Sequence, residues 1–98
     1  MEVQYVGANC RQGVSEKTGR PYTIAEVLYM IADEHSEKKS EDGNIIWRYT
    51  AFGNKVRSLP CDPSKLSSFE KCKPGDLVQV QLEPNPENPT RNFVVGLK

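Results

Sequence analysis

A mostly β protein is predicted from this sequence: a five-stranded barrel with one short helix between its third and fourth strands. Three observations predict it. Stretches rich in β-branched and aromatic residues alternate with Gly-, Pro- and Asn-bearing breaks from Glu2 to Leu97. A single segment, after Asp62-Pro63, repeats apolar residues at helical spacing. A chain of 98 residues makes one domain, residues 1–98, able to bury one small core but not two.

Glu2 to Arg11 alternates as a strand, with Val6, Ala8 and Cys10 on one face and Val3 and Tyr5 on the other. Gly7 marks a bulge or bend of the kind small barrels need. A tight hairpin tip follows, permitted by Gly13 and Gly19. Arg11, Lys17 and Arg20 make this tip cationic, and Pro21 forces an extended approach to Tyr22. Tyr22 to Ala32 is the second strand. It is apolar on both sides: Tyr22, Ile24, Leu28 and Met30 on one, Val27, Tyr29 and Ile31 on the other. A strand with one core face and one solvent face does not read this way. Either both faces are buried in the monomer, or one meets a subunit or a ligand.

Asp33 to Asn44 is polar and mixed in charge, a loop or hairpin extension with Asp42-Gly43-Asn44 as its turn signal. His35 in this setting reads as a solvated ring, and Lys38 and Lys39 as a solvated charge run or an extension of a phosphate track. Ile45 to Gly53 is expected to be the third strand, with Tyr49 and Ala51 inward and Arg48, Thr50 and Phe52 outward. The alternative places Phe52 in the core and leaves Arg48 on the surface. Trp47 suits a core or rim position. Asp62 is an N-cap with Pro63 at the first helical position, and Leu66, Phe69 and Cys72 then recur until Lys73-Pro74-Gly75 ends the helix. Asp76 to Glu83 is the fourth strand, Val78, Val80 and Leu82 inward and Gln79 and Gln81 outward. Pro84 to Pro89 reads as an open loop stiffened by three prolines. Arg91 follows, and Asn92 to Leu97 completes the barrel with Phe93, Val95 and Leu97 in the core.

Five short strands, a helix after the third, and loops after the first and fourth define an OB-fold. That fold binds oligonucleotides over strands two and three, between those two loops. The residues suited to such a ligand fall there. Arg11, Lys17, Arg20 and Tyr22 lie on the first loop, Ile24 on strand two, Arg48 and Phe52 on strand three, and Arg91 beside the second loop. Cations hold phosphates and exposed rings stack on bases.

Composition narrows the function. There are 13 Lys and Arg against 13 Asp and Glu, which argues against a broadly basic duplex binder but not against charge gathered on one face. Hydrophobic content is 37%, leaving subunit or partner contacts to cover part of the apolar surface. Cys10, Cys61 and Cys72 match no zinc spacing, and His35 stands alone, so no metal or cofactor is expected. The odd thiols read as small hydrophobes in a reducing cytoplasm. No apolar run is long enough for a membrane span. Neither a nucleophile–base pair nor a phosphate-binding loop is evident, so neither an enzyme nor a small-molecule substrate is expected.

The run Arg11-Gln12-Gly13-Val14-Ser15, then Lys17, then Gly19-Arg20-Pro21-Tyr22-Thr23 and Glu26 resembles the DNA-binding hairpin of filamentous-phage single-stranded DNA-binding, or helix-destabilising, proteins. Those proteins share an arginine, Gly-Val-Ser, a basic position, Gly-basic-Pro-Tyr-Ser/Thr and a nearby glutamate. The loop here is longer by one residue. The resemblance implies a homodimer that coats replicating single-stranded DNA without sequence specificity in the bacterial host cytoplasm. It also implies that Arg11, Lys17, Arg20 and Tyr22 contact the strand. The Phe52-Gly53 end of the expected third strand resembles bacterial cellular single-strand-binding proteins. Two other classes stay open: a replication-accessory protein of the primosome type, acting mainly through a protein partner, and a protein–protein adaptor.

Overall fold

The computed structural model describes residues 1–98. Seven strands and one 3-10 helix follow in order: β1 (Glu2–Val14), β2 (Pro21–Ala32), β3 (Ser36–Lys39), β4 (Ile45–Tyr49), β5 (Asn54–Cys61), the helix (Pro63–Phe69), β6 (Leu77–Asn85) and β7 (Asn88–Leu97). Five of the strands close a barrel in the order β1-β2-β5-β7-β6. All neighbours in the barrel are antiparallel except β5 and β7. This is OB-fold topology, and the helix falls between the third and fourth barrel strands as expected.

The expected third strand is corrected. Ile45 to Gly53 is not in the barrel. Ile45–Tyr49 pairs locally with Ser36–Lys39, and every residue of this two-stranded arm is exposed. The barrel's third strand is Asn54–Cys61, which pairs with β2 from Ala32↔Asn54 to Ala25↔Cys61. The turn explains the exchange. Ser40 N–H donates to Asn44 O at 2.8 Å, and Gly43 takes a φ of 85°. The chain thus folds back at once and uses its best strand former in the hairpin. Pro60 is tolerated because β5 is an edge for most of its length on its other side. It meets β7 only at Cys61↔Val94, beside a 2.8 Å bond from Asp62 N–H to Val94 O.

The core consists of Val3, Tyr5, Ala25, Val27, Tyr29, Cys61, Phe69, Val80 and Val94. A bulge between Tyr5 and Gly7 lies where Gly7 predicted one. It changes the phase of β1, so that Ala8 joins Val3 and Tyr5 at the core instead of opposing them. Val80 is buried, with Val78 and Leu82 packed beside it, as the alternation of β6 required. The register of the last strand is opposite to expectation: Val94 is inside, and Phe93 and Val95 are only partly covered. That segment is apolar on both faces, so alternation could not orient it. Pro84 to Pro89 is also corrected. It is a hairpin, Pro84 pairing with Asn92 and Asn85 with Asn88, and β6 there lies beyond its pairing with β1, where a missing N–H costs nothing.

Asp62 caps the helix, its carboxylate accepting from Ser64 N–H at 3.0 Å. The helix ends at Phe69 and not at Lys73-Pro74-Gly75 as expected: Leu66 and Phe69 lie one 3-10 turn apart, and Cys72 follows beyond its end. That turn sets Phe69 against Tyr5, ring centroids 5.8 Å apart and planes 6° apart. The radius of gyration is 17.6 Å, against about 13 Å for a compact chain of this size. Two hairpins project beyond the barrel, the β1–β2 tip and the β3–β4 arm.

Polar contacts hold the arm's root. Asp33 N–H donates to Gly53 O at 2.9 Å, the Tyr49 hydroxyl donates to the Asp33 carboxylate, and Lys55 lies 3.4 Å from the same group. Tyr49, expected inside, is therefore 45% exposed. Ala51 N–H donates to His35 Nδ1 at 3.2 Å. The Tyr49 hydroxyl, then backbone and lysine contacts, hold the Asp33 carboxyl below its ordinary value. A carboxyl depressed on folding stabilises the root above the usual carboxylate range, and that contribution is lost as pH falls through its lowered pKa. Trp47 emission is expected to stay constant from neutral pH down through the usual carboxylate range and change only below it. Asp33→Asn is expected to show the altered emission already at neutral pH.

Candidate nucleic-acid interface

The β1–β2 hairpin runs in unbroken register from Gly7↔Leu28 to Val14↔Pro21, well past the barrel. Its tip is tied by Ser15 N–H to Arg20 O at 2.9 Å and Gly19 N–H to Ser15 O at 2.8 Å. Gly19, at a φ of 69°, makes the left-handed step that closes it. Arg11, Lys17 and Arg20 are all exposed there, and none joins an ion pair; the three bridges in the molecule use Lys39, Arg48 and Lys55.

Cross-strand partners share a sheet face. Ala25, Val27 and Tyr29 point into the core, so Tyr22, Ile24, Leu28 and Met30 of β2 point outward. The doubly apolar second strand thus has one buried side and one partly open side. Ile24 is 51% exposed beside Arg11, its partner on β1. Tyr22 lies across Gly13. A Cβ at Gly13 would come within 2.7 Å of the phenol oxygen, so the glycine lets the ring settle on the backbone while it stays 38% exposed.

A groove of about 720 Å³ runs from this ring to the β6–β7 hairpin, lined by Tyr22, Ile24, Pro60, Pro63, Pro86 and Phe93 among others. It crosses the place where β5 meets β7. Phe93, expected in the core, instead lines the groove. Its apolar character gave no signal of this, and Pro60 and Pro63 gave only breaker signals. Two carboxylates also border the groove, Asp62 and Glu87. The first is engaged in capping, accepting from Ser64 Oγ at 2.8 Å as well. On the open face Glu26 accepts from Asn9 Nδ2 at 3.1 Å.

The structure therefore gathers Arg11, Lys17, Arg20, Tyr22 and Ile24 on one hairpin. Arg91 is exposed on β7, the strand that carries Phe93 into the groove. Arg48 and Phe52 are not on the barrel face. Arg48 is on the arm, 3.2 Å from Glu37, which also holds Lys39 at 3.5 Å. Phe52 is 86% exposed at the arm's root, its ring edge-on to His35 at 5.2 Å. Both had been placed by an assumed third strand.

Cys61 is pushed up to about 11, first by burial and then by Asp62 and Cys10, so it stays a neutral thiol at physiological pH. Cys10 is exposed and Cys72 half-buried, all three thiols being free. No three His, Cys, Asp or Glu side chains converge as a metal would require. No helix is long and apolar enough to cross a membrane.

The family model described as CTX phage RstB protein matches residues 2–95. No curated protein and no solved structure matches the chain. A match over nearly the whole barrel and its arm, and not over the hairpin alone, assigns the chain: it belongs to the CTX phage RstB protein family.

Proposed function

We propose that this protein binds single-stranded DNA without sequence specificity and coats it during phage or plasmid replication, as a homodimer in the bacterial host cytoplasm. One observation carries the reading: three unpaired cations and a half-open tyrosine on a projecting hairpin adjoin a groove of mixed polar and apolar lining on the ligand-binding side of an OB-fold. Phosphates lie against Arg11, Lys17 and Arg20, and splayed bases stack on Tyr22 and pack along Ile24 and Phe93. Arg91 adds a phosphate contact from the far side. Bases inside a duplex cannot reach the ring, so preferential binding favours strand separation. The work done is binding alone; no bond in the DNA is made or broken.

Titrating a labelled oligothymidine at several salt concentrations tests this. Four engaged cations predict a log–log slope near −3, about 0.7 for each phosphate. Mixed-sequence single strands should bind comparably and duplex far more weakly. Absent binding, or equal binding to duplex, defeats the reading. Dimerisation is supported by a core of few residues and by exposed Ile45 and Ile46. A monomer mass in light scattering at micromolar concentration would refute that part. Primosome-type docking onto a protein partner is favoured by one feature, the carboxylates Asp62 and Glu87 at the groove. It predicts weak, salt-insensitive DNA binding in the same titration.

A further inference from the structure

The sole tryptophan of the chain is neither core nor rim. Trp47 is 48% exposed in the middle of the β3–β4 arm. The register Ser36↔Tyr49, Glu37↔Arg48, Lys38↔Trp47 and Lys39↔Ile45 sorts the arm into two sides. Glu37, Lys39, Ile45 and Arg48 share one, where the carboxylate neutralises both cations. Ser36, Lys38, Trp47 and Tyr49 share the other. Neither strand contributes an acid to it; Asp33 reaches its root end through the Tyr49 hydroxyl and is engaged there, and Lys38 has no ion-pair partner. An unpaired ammonium set directly across from an open indole is the pairing that grips a phosphate and its base.

We propose that this side of the arm is a second contact for single-stranded DNA, Trp47 stacking on a base and Lys38 holding an adjoining phosphate. The proposal rests on the single-strand reading above and extends its site. The eleven steps of β2 from Pro21 to Ala32 separate tip and root by about 36 Å. Between them the outer face offers Ile24, Met30 and Val56, and Phe52 stands open at the root. A second copy of the chain suits this side of the arm less well. A two-fold interface centred there would bring Lys38 toward its own copy, and the nearest carboxylate on that side, Asp33, is already held by Tyr49 and Lys55.

The single indole makes the test direct. The full-length protein is titrated with a labelled oligothymidine while oligonucleotide anisotropy and Trp47 emission are both followed. Quenching should saturate with the anisotropy. Trp47→Ala should weaken binding about 5- to 150-fold, with Trp47→Phe retaining most of the affinity. Lys38→Ala should reduce the salt slope by about 0.7. Circular dichroism should be unchanged, as both side chains are exposed. If anisotropy reports binding but emission is constant and Trp47→Ala binds normally, the arm is not a contact, though the function stands. If the wild type does not bind at all, the function fails and this site with it. If Trp47→Ala halves the mass of a dimeric wild type, the indole belongs to a subunit interface and the proposal is overturned.

Discussion

Replacing Tyr22 by alanine is expected to weaken single-stranded DNA binding about 5- to 150-fold, the equivalent of one lost base–ring stack of roughly 1–3 kcal/mol. Little else should change. The ring is 38% exposed and rests on Gly13 rather than in the core, so the circular dichroism spectrum and unfolding midpoint should be near those of the wild type. Tyr22→Phe keeps the stacking surface and should bind almost normally, which separates stacking from any role of the hydroxyl. Arg20→Ala should instead act through charge, lowering the salt slope by about 0.7. Gly13 supplies a control on position. A methyl there meets the phenol at 2.7 Å, so Gly13→Ala must move the ring while leaving it present. Wild-type affinity in both Tyr22→Ala and Arg20→Ala would take the hairpin out of the site.

Phe69→Ala should have the largest effect on stability. Phe69 is 2% exposed and stacks on Tyr5, with Leu66 and Cys72 of the same segment packed against the core. Truncating a buried phenylalanine costs about 3–5 kcal/mol, through lost burial and the cavity left behind. Domains have only about 5–15 kcal/mol in total. For a chain of this size the unfolding midpoint should fall by more than about 12 °C. Leu77→Ala, at a side chain 69% exposed, should change stability by about 0.5 kcal/mol or less. Far-ultraviolet circular dichroism is the appropriate probe, because the only indole sits on the arm and does not sense the barrel core. A loss below about 1 kcal/mol at Phe69 would mean that the helix does not plug the barrel.

Where one chemical pattern had one geometric solution, the sequence could be read directly. Asp62-Pro63 with apolar residues three apart led to a capped 3-10 turn against the core. Val78, Val80 and Leu82 led to an inward row. Gly7 led to a bulge, although the change of phase it imposes on Ala8 required the pairing with β2 to be seen. Ile45–Gly53 misled because strand propensity is local while sheet membership is not. The best strand former in the chain was captured by its own upstream neighbour through a five-residue turn. The weaker, proline-bearing Asn54–Cys61 then took the barrel position by continuity with β2. The last strand failed for a different reason, since Phe93, Val94 and Val95 offer apolar groups to both sides. At the candidate site, glycine, proline and cations marked the hairpin because each restricts backbone or charge. The groove has no comparable mark. Pro60, Pro86 and Phe93 come from three separate segments, and only folding makes them neighbours.

The single Cys61↔Val94 step and the one amide bond beside it make the barrel a book with a thin spine. β2 with β5 forms one leaf and β6 with β7 the other, and the spine is where transient opening needs the fewest bonds to break. Because the groove straddles that line, whatever lies in it touches both leaves at once and works as a clasp. Occupancy would then slow amide exchange at Asp62 more than at the centre of either leaf.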